Sequence, residues 1–156
     1  MPIPEKTPVS GGDIKSETSV LRLIYPQWQG GIVDHWMPDL LPEDASKGYF
    51  LGAQLLKILA PESTAMTAEV PVSLDIRDRA VEKGISARRV IMKQTGAALD
   101  IVRENAPEKI VTLGGECSVS VVPFTYLVAK YPDDVAIVWL DAHPDVNLPY
   151  DEYKGY

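Results

Sequence analysis

Two clusters of side chains that can bind metal follow two apolar runs of the chain. Residues 110–113 (IVTL) are followed by GGECS at 114–118, and residues 135–140 (VAIVWL) are followed by DAHPDVN at 141–147. Short apolar runs of this kind, bounded by glycine or polar residues, are typical of buried strands. Ligands of open α/β sheets bind beyond the carboxyl ends of the strands, so both clusters lie where a site is expected.

The second cluster has the side-chain types of a transition-metal site. Asp141, His143 and Asp145 alternate, so in extended backbone all three point to one side. Two carboxylates with one imidazole suit Mn, Fe, Co, Ni or Zn better than Ca or Mg. A carboxylate can also bridge two metals about 3.5–4 Å apart, an arrangement that gives a hydroxide nucleophile at neutral pH. The alternative is a polar turn at a strand end. Crowded carboxylates without a basic neighbour favour the metal site, because they are costly unless a cation joins them.

Strands alternate with helices along the rest of the chain. The predicted elements are a strand at Val20–Tyr25, a loop at 26–42, a helix between Pro42 and Pro61, a weak edge strand at 70–74, a helix capped by Ser86, a strand at 110–113, a helix capped by Ser120, and a strand at 135–140 buried on both faces. The helix after Ser86 carries an apolar face of Ile91, Thr95, Ala98 and Val102. This order predicts right-handed crossovers and a parallel sheet covered by helices, hence an α/β fold. The aromatic residues of the 26–42 loop either line a pocket or pack the loop onto the domain.

Composition excludes several classes of protein. The chain has 156 residues and a formal net charge of −7, which argues against a nucleic-acid partner bound through phosphates. A single cysteine, Cys117, rules out an intramolecular disulfide framework. No apolar stretch approaches the length of a membrane span, and the first residues lack the apolar core of a secretory signal. We therefore expect a soluble, cytoplasmic protein in which residues 1–19 form a flexible arm.

The two clusters together resemble the first two signature motifs of the arginase/agmatinase family, the ureohydrolases. The usual forms of these motifs are GGDHS and DAH-x-D-x-N, and the interval between them is similar here. The resemblance implies a three-layer α/β/α sandwich with a mainly parallel sheet and two Mn²⁺ ions at its strand ends. It also implies hydrolysis of a guanidino C–N bond in a linear amidine. A metal-bridging hydroxide is the nucleophile, and urea is most often released.

The resemblance also implies roles for single residues. Asp141 would bridge both metals and hold the hydroxide, which makes it the catalytic residue of the set. His143 would bind the second metal, and Asp145 would bind the first together with the residue at Cys117. Asn147 stands where the arginase branch contacts the α-carboxylate of its substrate, which mildly favours arginine over agmatine.

The first motif departs from the family pattern. Cys117 occupies the position of the first-metal histidine, and Glu116 replaces an aspartate. A thiolate is a softer ligand and would shift the preference from Mn towards Zn or Fe. The alternative is that Cys117 is a small buried apolar residue. Gly114 and Gly115 would let the backbone approach the metal centre closely.

The family's third motif, with two further metal-binding aspartates, is not found in the sequence. We therefore expect residues 20–156 to be the N-terminal half of an arginase-like domain, truncated after its fourth strand and with low or no activity alone. The expected partners are a small guanidino substrate such as arginine and, as a homo-oligomer, further copies of the chain. A second hypothesis is a non-catalytic α/β binding or assembly module that keeps a partial metal site. A third is an unrelated α/β protein that shares DAHPD by chance.

Overall fold

The fold is described by a computed structural model that covers residues 19–143, 146–148, 151–152 and 154–156. The elements are, in chain order, β1 (Val20–Tyr25), a 3₁₀ turn (Gln29–Gly31), α1 (Val33–Trp36), α2 (Pro42–Leu59), β2 (Met66–Glu69), β3 (Val81–Glu82), β4 (Ile85–Ser86), α3 (Arg88–Asn105), β5 (Lys109–Gly114), a second 3₁₀ turn (Cys117–Ser120) and α4 (Val121–Lys130). Within those ranges, no helix combines the length and the apolarity that crossing a membrane requires. The predicted arm falls almost entirely on residues 1–18, which lie outside the described residues.

The main sheet has three strands in the order β2–β1–β5, and both pairings are parallel. β1 is the central strand, with Leu21 opposite both Met66 and Ile110. Parallel neighbours so far apart in sequence require crossover connections, which α2 and α3 supply. The predicted α/β class with a parallel sheet is therefore confirmed.

Helices cover both faces of the sheet because the side chains of β1 alternate between them. Leu21, Leu23 and Tyr25 point into the core formed with α3 and α4, where none of the three is more than 1% exposed. Arg22 points to the opposite face, where its Nη2 donates to the Pro61 carbonyl oxygen at 2.7 Å, just beyond the end of α2. This places α2 on one face of the sheet and α3 and α4 on the other.

The α3 helix presents the apolar face that the sequence predicts. Ile91, Ala98 and Val102 are fully buried, and Gln94 is buried beside them. The predicted cap is wrong: the residue before the helix is Ala87, in the left-handed region with φ 54°, and no side chain caps the first turn. Ser86 instead belongs to β4.

The strand predicted at residues 135–140 is wrong for the described structure. This segment forms no strand there, and Val138 and Leu140 are 76% and 93% exposed. Trp139 packs edge-to-face on Phe124 of α4, with ring centroids 6.0 Å apart. An apolar run predicts a preference for extended structure, but a strand exists only through hydrogen bonds to a neighbour, which composition does not encode. The edge of β5 away from β1 is left without a partner strand among the described residues.

Two further parts of the chain differ from the sequence prediction. The second strand is Met66–Glu69 rather than 70–74, although it lies at the sheet edge as expected. Val70 donates its N–H to the Ile24 carbonyl at 2.8 Å, and Pro71 has no N–H with which to continue. The β3–β4 hairpin was missed. Its turn holds Lys83 and Gly84 at φ 51° and 80°, and a residue pair ending in glycine is the local signal for such a turn.

Candidate metal centre

The loop that begins the first cluster packs directly against the end of the central strand. Gly115 donates its N–H to the Tyr25 carbonyl at 3.0 Å, which extends the β1–β5 pairing by one bond. A Cβ atom at Gly115 would lie 1.9 Å from the carbonyl oxygen of Gln27, so any side chain would clash with backbone. Glycine is therefore required here for close approach of two loops, both of which follow parallel strand ends.

Glu116 joins these two loops through a partly buried carboxylate. Its Oε1 accepts hydrogen bonds from Gln27 Nε2 at 2.8 Å and from Ser118 Oγ at 2.6 Å. Its Oε2 accepts from the Ser118 N–H at 2.7 Å, and the backbone N–H of Gly30 donates to the same carboxylate. Burial raises the pKa of Glu116, and the hydrogen bonds oppose that rise.

Gln27 is in turn held by a group that we call the glutamine cluster, made of Gln27, Gln29 and Gln94. Gln94 Nε2 donates to Gln27 Oε1 at 2.8 Å and to Gln29 Oε1 at 3.1 Å. The hydroxyl of Tyr25 also donates to Gln27 Oε1, at 3.1 Å. Burial raises the pKa of Tyr25 to about 12, so this hydroxyl stays protonated at physiological pH. Backing by Gln94 and Tyr25 thus fixes the orientation of the Gln27 amide.

The second cluster reaches the first through a side-chain contact. The thiol of Cys117 lies 3.7 Å from Asp141 Oδ2, and the two residues are 24 positions apart. The other oxygen of Asp141 accepts the His143 N–H at 2.9 Å and lies 3.5 Å from His143 Nδ1. Donation from that N–H and from the thiol lowers the pKa of Asp141, which keeps the carboxylate ionised and able to bind a cation.

Cys117, Asp141 and His143 have side chains of the types that bind transition metals. The distance between the first two also fits a shared metal ion. A thiolate and a carboxylate on one tetrahedral zinc ion would place sulfur and oxygen roughly 3.5 Å apart, given metal–ligand distances of about 2.3 and 2.0–2.2 Å. Within the described ranges, however, no group of three or more histidine, cysteine or acidic side chains is arranged to hold an ion. Asp145 lies outside the described residues, and Asn147 is exposed. The structure therefore brings Cys117, Asp141 and His143 together in pairs rather than as one closed site.

Sequence reasoning missed the residues that support this loop. Gln27, Gln29 and Gln94 are each no more than 4% exposed, and none was proposed as part of the site. The signal in Gln94 was a polar residue on the otherwise apolar face of α3. Buried polar side chains require hydrogen-bond partners, so such a residue predicts a buried network even when its partners are unknown.

An ion pair fastens the loop that follows β1. Arg79 and Asp34 form two hydrogen bonds, both 2.7 Å long, and their side chains are only 24% and 16% exposed. The guanidinium also lies over the Trp28 ring, 5.9 Å from its centroid. Trp28 is 3% exposed, so the aromatic loop packs onto the domain at this point, as one of the two sequence interpretations proposed.

Replacing Asp34 by asparagine should destabilise the protein by about 1.5–3 kcal/mol at pH 7, because one charge-assisted bond is lost and Arg79 keeps an unpaired charge. Hydrogen bonding from Arg79 lowers the pKa of Asp34 in the folded state. Its contribution is therefore full above the unfolded-state pKa, about 4, and is lost as the pH falls through the folded-state value. Urea unfolding of both proteins at pH 7 and pH 3 checks this. Equal stability at pH 7, or a difference that grows on acidification, would contradict it.

Comparison with known proteins assigns the chain to a protein family. No curated protein sequence is similar enough to be matched with it. The model of the Arginase family, by contrast, matches residues 56–156, a range that includes both clusters. That range is more than half of the chain and agrees with the resemblance found in the two motifs. The chain therefore belongs to the arginase family.

Proposed function

We propose that this chain supplies active-site residues of a metal-dependent hydrolase that cleaves a guanidino C–N bond of a linear amidine and releases urea. The observation that carries the proposal is the contact between Cys117 and Asp141. Two distant segments, each following an apolar run, bring a thiol and a carboxylate to 3.7 Å in a member of the arginase family. Membership of that family supports hydrolysis, and the donor types support a metal.

Each side chain has a defined part in this proposal. Asp141 is held ionised by its neighbours, and it has one oxygen near Cys117 and the other near His143. Asp141 would therefore bridge two metal ions. Cys117 and Asp145 would bind the first ion, and His143 would bind the second. A divalent metal bound there would lower the pKa of a water molecule and so provide a nucleophile at neutral pH.

The identity of the metal depends on Cys117. Proteins of the arginase family generally bind Mn²⁺. A thiolate in place of an imidazole favours a softer ion, so Zn²⁺ or Fe²⁺ should compete well with Mn²⁺ at this position. Replacing Cys117 by histidine should move the preference back towards Mn²⁺.

Charge supports a cationic substrate. The formal net charge of −7 attracts a guanidinium and raises its local concentration near an acidic site. Arginine and agmatine both carry that group and differ in the α-carboxylate. Asn147 would contact that carboxylate, which makes arginine the preferred substrate in this proposal.

The test combines metal binding with turnover. Urea release from L-arginine and agmatine is measured with Mn²⁺, Zn²⁺ or Fe²⁺, and the thermal shift caused by each metal is recorded on the same samples. A metal at 100 times its dissociation constant stabilises by about 2.7 kcal/mol, which is roughly a 5–10 °C shift for a chain of this size. We expect a shift of this order and weak urea release, because the described residues do not form a closed site.

Asp141→Ala should abolish both signals, whereas Asp133→Ala, which removes an exposed carboxylate outside both motifs, should change neither. A metal shift that survives Asp141→Ala would overturn the proposal.

A second candidate function is an assembly module, and the exposed face of α2 favours it. Leu51, Ile58 and Leu59 are 58%, 75% and 78% exposed and recur at helical spacing. An assembly module would form a homo-oligomer that buries this face and would release no urea, even if a partial metal site still gave a thermal shift. Oligomeric mass measured by light scattering, together with urea release, separates the two candidates.

A further inference from the structure

The two residues that flank Cys117 are both held by one partly buried group of hydrogen bonds. Glu116 precedes the cysteine and Ser118 follows it, and they bond to each other through side chain and backbone. Gln27 Nε2 donates to Glu116 Oε1 and to Ser118 Oγ, both at 2.8 Å. We call these three residues the carboxylate bracket. Because it fixes the positions immediately before and after the cysteine, the bracket restricts the backbone that carries the thiol.

We propose that the carboxylate bracket positions the thiol of Cys117 opposite Asp141, so that Glu116 and Gln27 are positioning residues for the first metal. This inference rests on the proposed function, since it gives Cys117 the part of a ligand. Side chains that orient a ligand from behind typically change metal affinity by 10- to 100-fold when they are replaced.

The carboxylate of Glu116 is not needed to hold β1 and β5 together. The β1–β5 ladder already continues to the bond between Gly115 and the Tyr25 carbonyl, which involves backbone alone. Burying a carboxylate among neutral donors costs more than burying an apolar side chain of similar size. What the carboxylate adds is several acceptor sites, which together align Gln27, Ser118 and Gly30 around the cysteine.

Support for the carboxylate bracket extends to helix α3. Gln94 of α3 donates to Gln27 Oε1, which leaves both hydrogens of the Gln27 amide for Glu116 and Ser118. The path from the helix to the thiol therefore runs through two side chains, and each has its polar atoms satisfied within the described residues.

Glu116→Gln tests the bracket, because glutamine has the same side-chain shape as glutamate. An amide has one acceptor oxygen and one donor nitrogen, so its NH₂ group must face a donor, either the Ser118 N–H or the Gln27 amide. Glu116→Asp keeps both acceptor oxygens and should retain part of the function. The matched control is Glu69→Gln, since Glu69 also accepts from a glutamine amide, Gln54 Nε2 at 2.7 Å, but in an exposed contact between β2 and α2.

The readout is Co²⁺ binding followed by the near-ultraviolet charge-transfer absorption of a cobalt–thiolate bond. The full chain should show this band, and Cys117→Ser should lose it. We expect Glu116→Gln and Gln27→Leu to weaken Co²⁺ binding at least about tenfold with a weaker band, Glu116→Asp to fall between them and wild type, and Glu69→Gln to match wild type. Wild-type affinity and band intensity in both bracket variants would overturn the proposal.

A metal-free measurement separates this inference from the proposed function. Cys117 is the single cysteine, so its rate of alkylation by iodoacetamide reports the loop alone. The rate should rise severalfold in Glu116→Gln and stay at the wild-type value in Glu69→Gln. If wild type shows no cobalt–thiolate band but Glu116→Gln raises the alkylation rate, the metal role is rejected and the positioning role is kept. Unchanged alkylation would reject positioning whatever the metal result. Ser118→Ala, which deletes one hydroxyl, supplies the same comparison if Glu116→Gln does not fold.

Discussion

Replacing Gly115 by alanine is expected to destabilise the protein by at least about 3 kcal/mol, the upper end of what overpacking costs. The new methyl carbon would lie 1.9 Å from the Gln27 carbonyl oxygen, and the obstacle is backbone rather than a side chain that can rotate away. Relief requires the loops after β1 and β5 to separate, which would break the Gly115–Tyr25 hydrogen bond. Urea unfolding and a thermal melt measure the loss, which for a chain of this length is roughly 6–12 °C in Tm.

Gly96 provides the control for that substitution. It lies within α3, and a Cβ atom there would meet nothing within 4 Å. Gly96→Ala should therefore leave stability unchanged or raise it by roughly 0.5–1 kcal/mol, because alanine favours helix over glycine. Equal effects of the two substitutions would show that the close approach at Gly115 is not what constrains it. Thiol alkylation of Cys117 should also change in Gly115→Ala and not in Gly96→Ala.

Leu23→Ala is expected to cost about 2–5 kcal/mol, the usual range for a leucine truncated in a packed core. Leu23 is 0% exposed at the middle of the central strand, and it belongs to the cluster that joins β1 to α3 through Ala98 and Val102. Neighbours on a fixed sheet cannot collapse fully into the space, so a cavity adds to the lost burial.

Leu51→Ala is the matched comparison for Leu23→Ala. The side chain of Leu51 is 58% exposed on α2, so its truncation should change the unfolding free energy by no more than about 0.5 kcal/mol. Denaturant unfolding of both variants at one pH measures the difference. A Leu23→Ala effect as small as that of Leu51→Ala would contradict the assigned core.

The fold was predictable where local pattern and tertiary role agree. β1 and α2 are apolar segments with clear ends, α3 has one apolar face although its predicted cap is wrong, and β5 follows a polar stretch. The misplaced second strand shows the limit of composition. Val70 is buried, but Pro71 ends the ladder there, so the paired residues are the more polar Met66–Glu69. Their strand state comes from the register with β1, which only the folded chain provides.

The sequence predicts residue types for the candidate site but not the residues that support them. Cys117, Asp141 and His143 were proposed from motif and chemistry, and the structure brings them together in pairs. Their roles as ligands remain predictions. Gln27 could not be predicted as a partner of Glu116, because the two are 89 positions apart and no local period connects them. Long-range pairs of polar side chains leave no signal in a single sequence beyond the unexpected burial of each.

The position of β1 in the sheet has a consequence for how the chain is made. Among the described strands, β1 is synthesised before both of its neighbours, and β5, which pairs with it along its whole length, follows 89 residues later. At translation rates of about 5–20 residues per second, the two are separated by roughly 4–18 s. For most of that interval the apolar side chains of β1 have neither β5 nor α3 to cover them, because α3 is synthesised only shortly before β5. A nascent chain of this protein should therefore expose the apolar β1 segment to chaperones until the third parallel strand emerges.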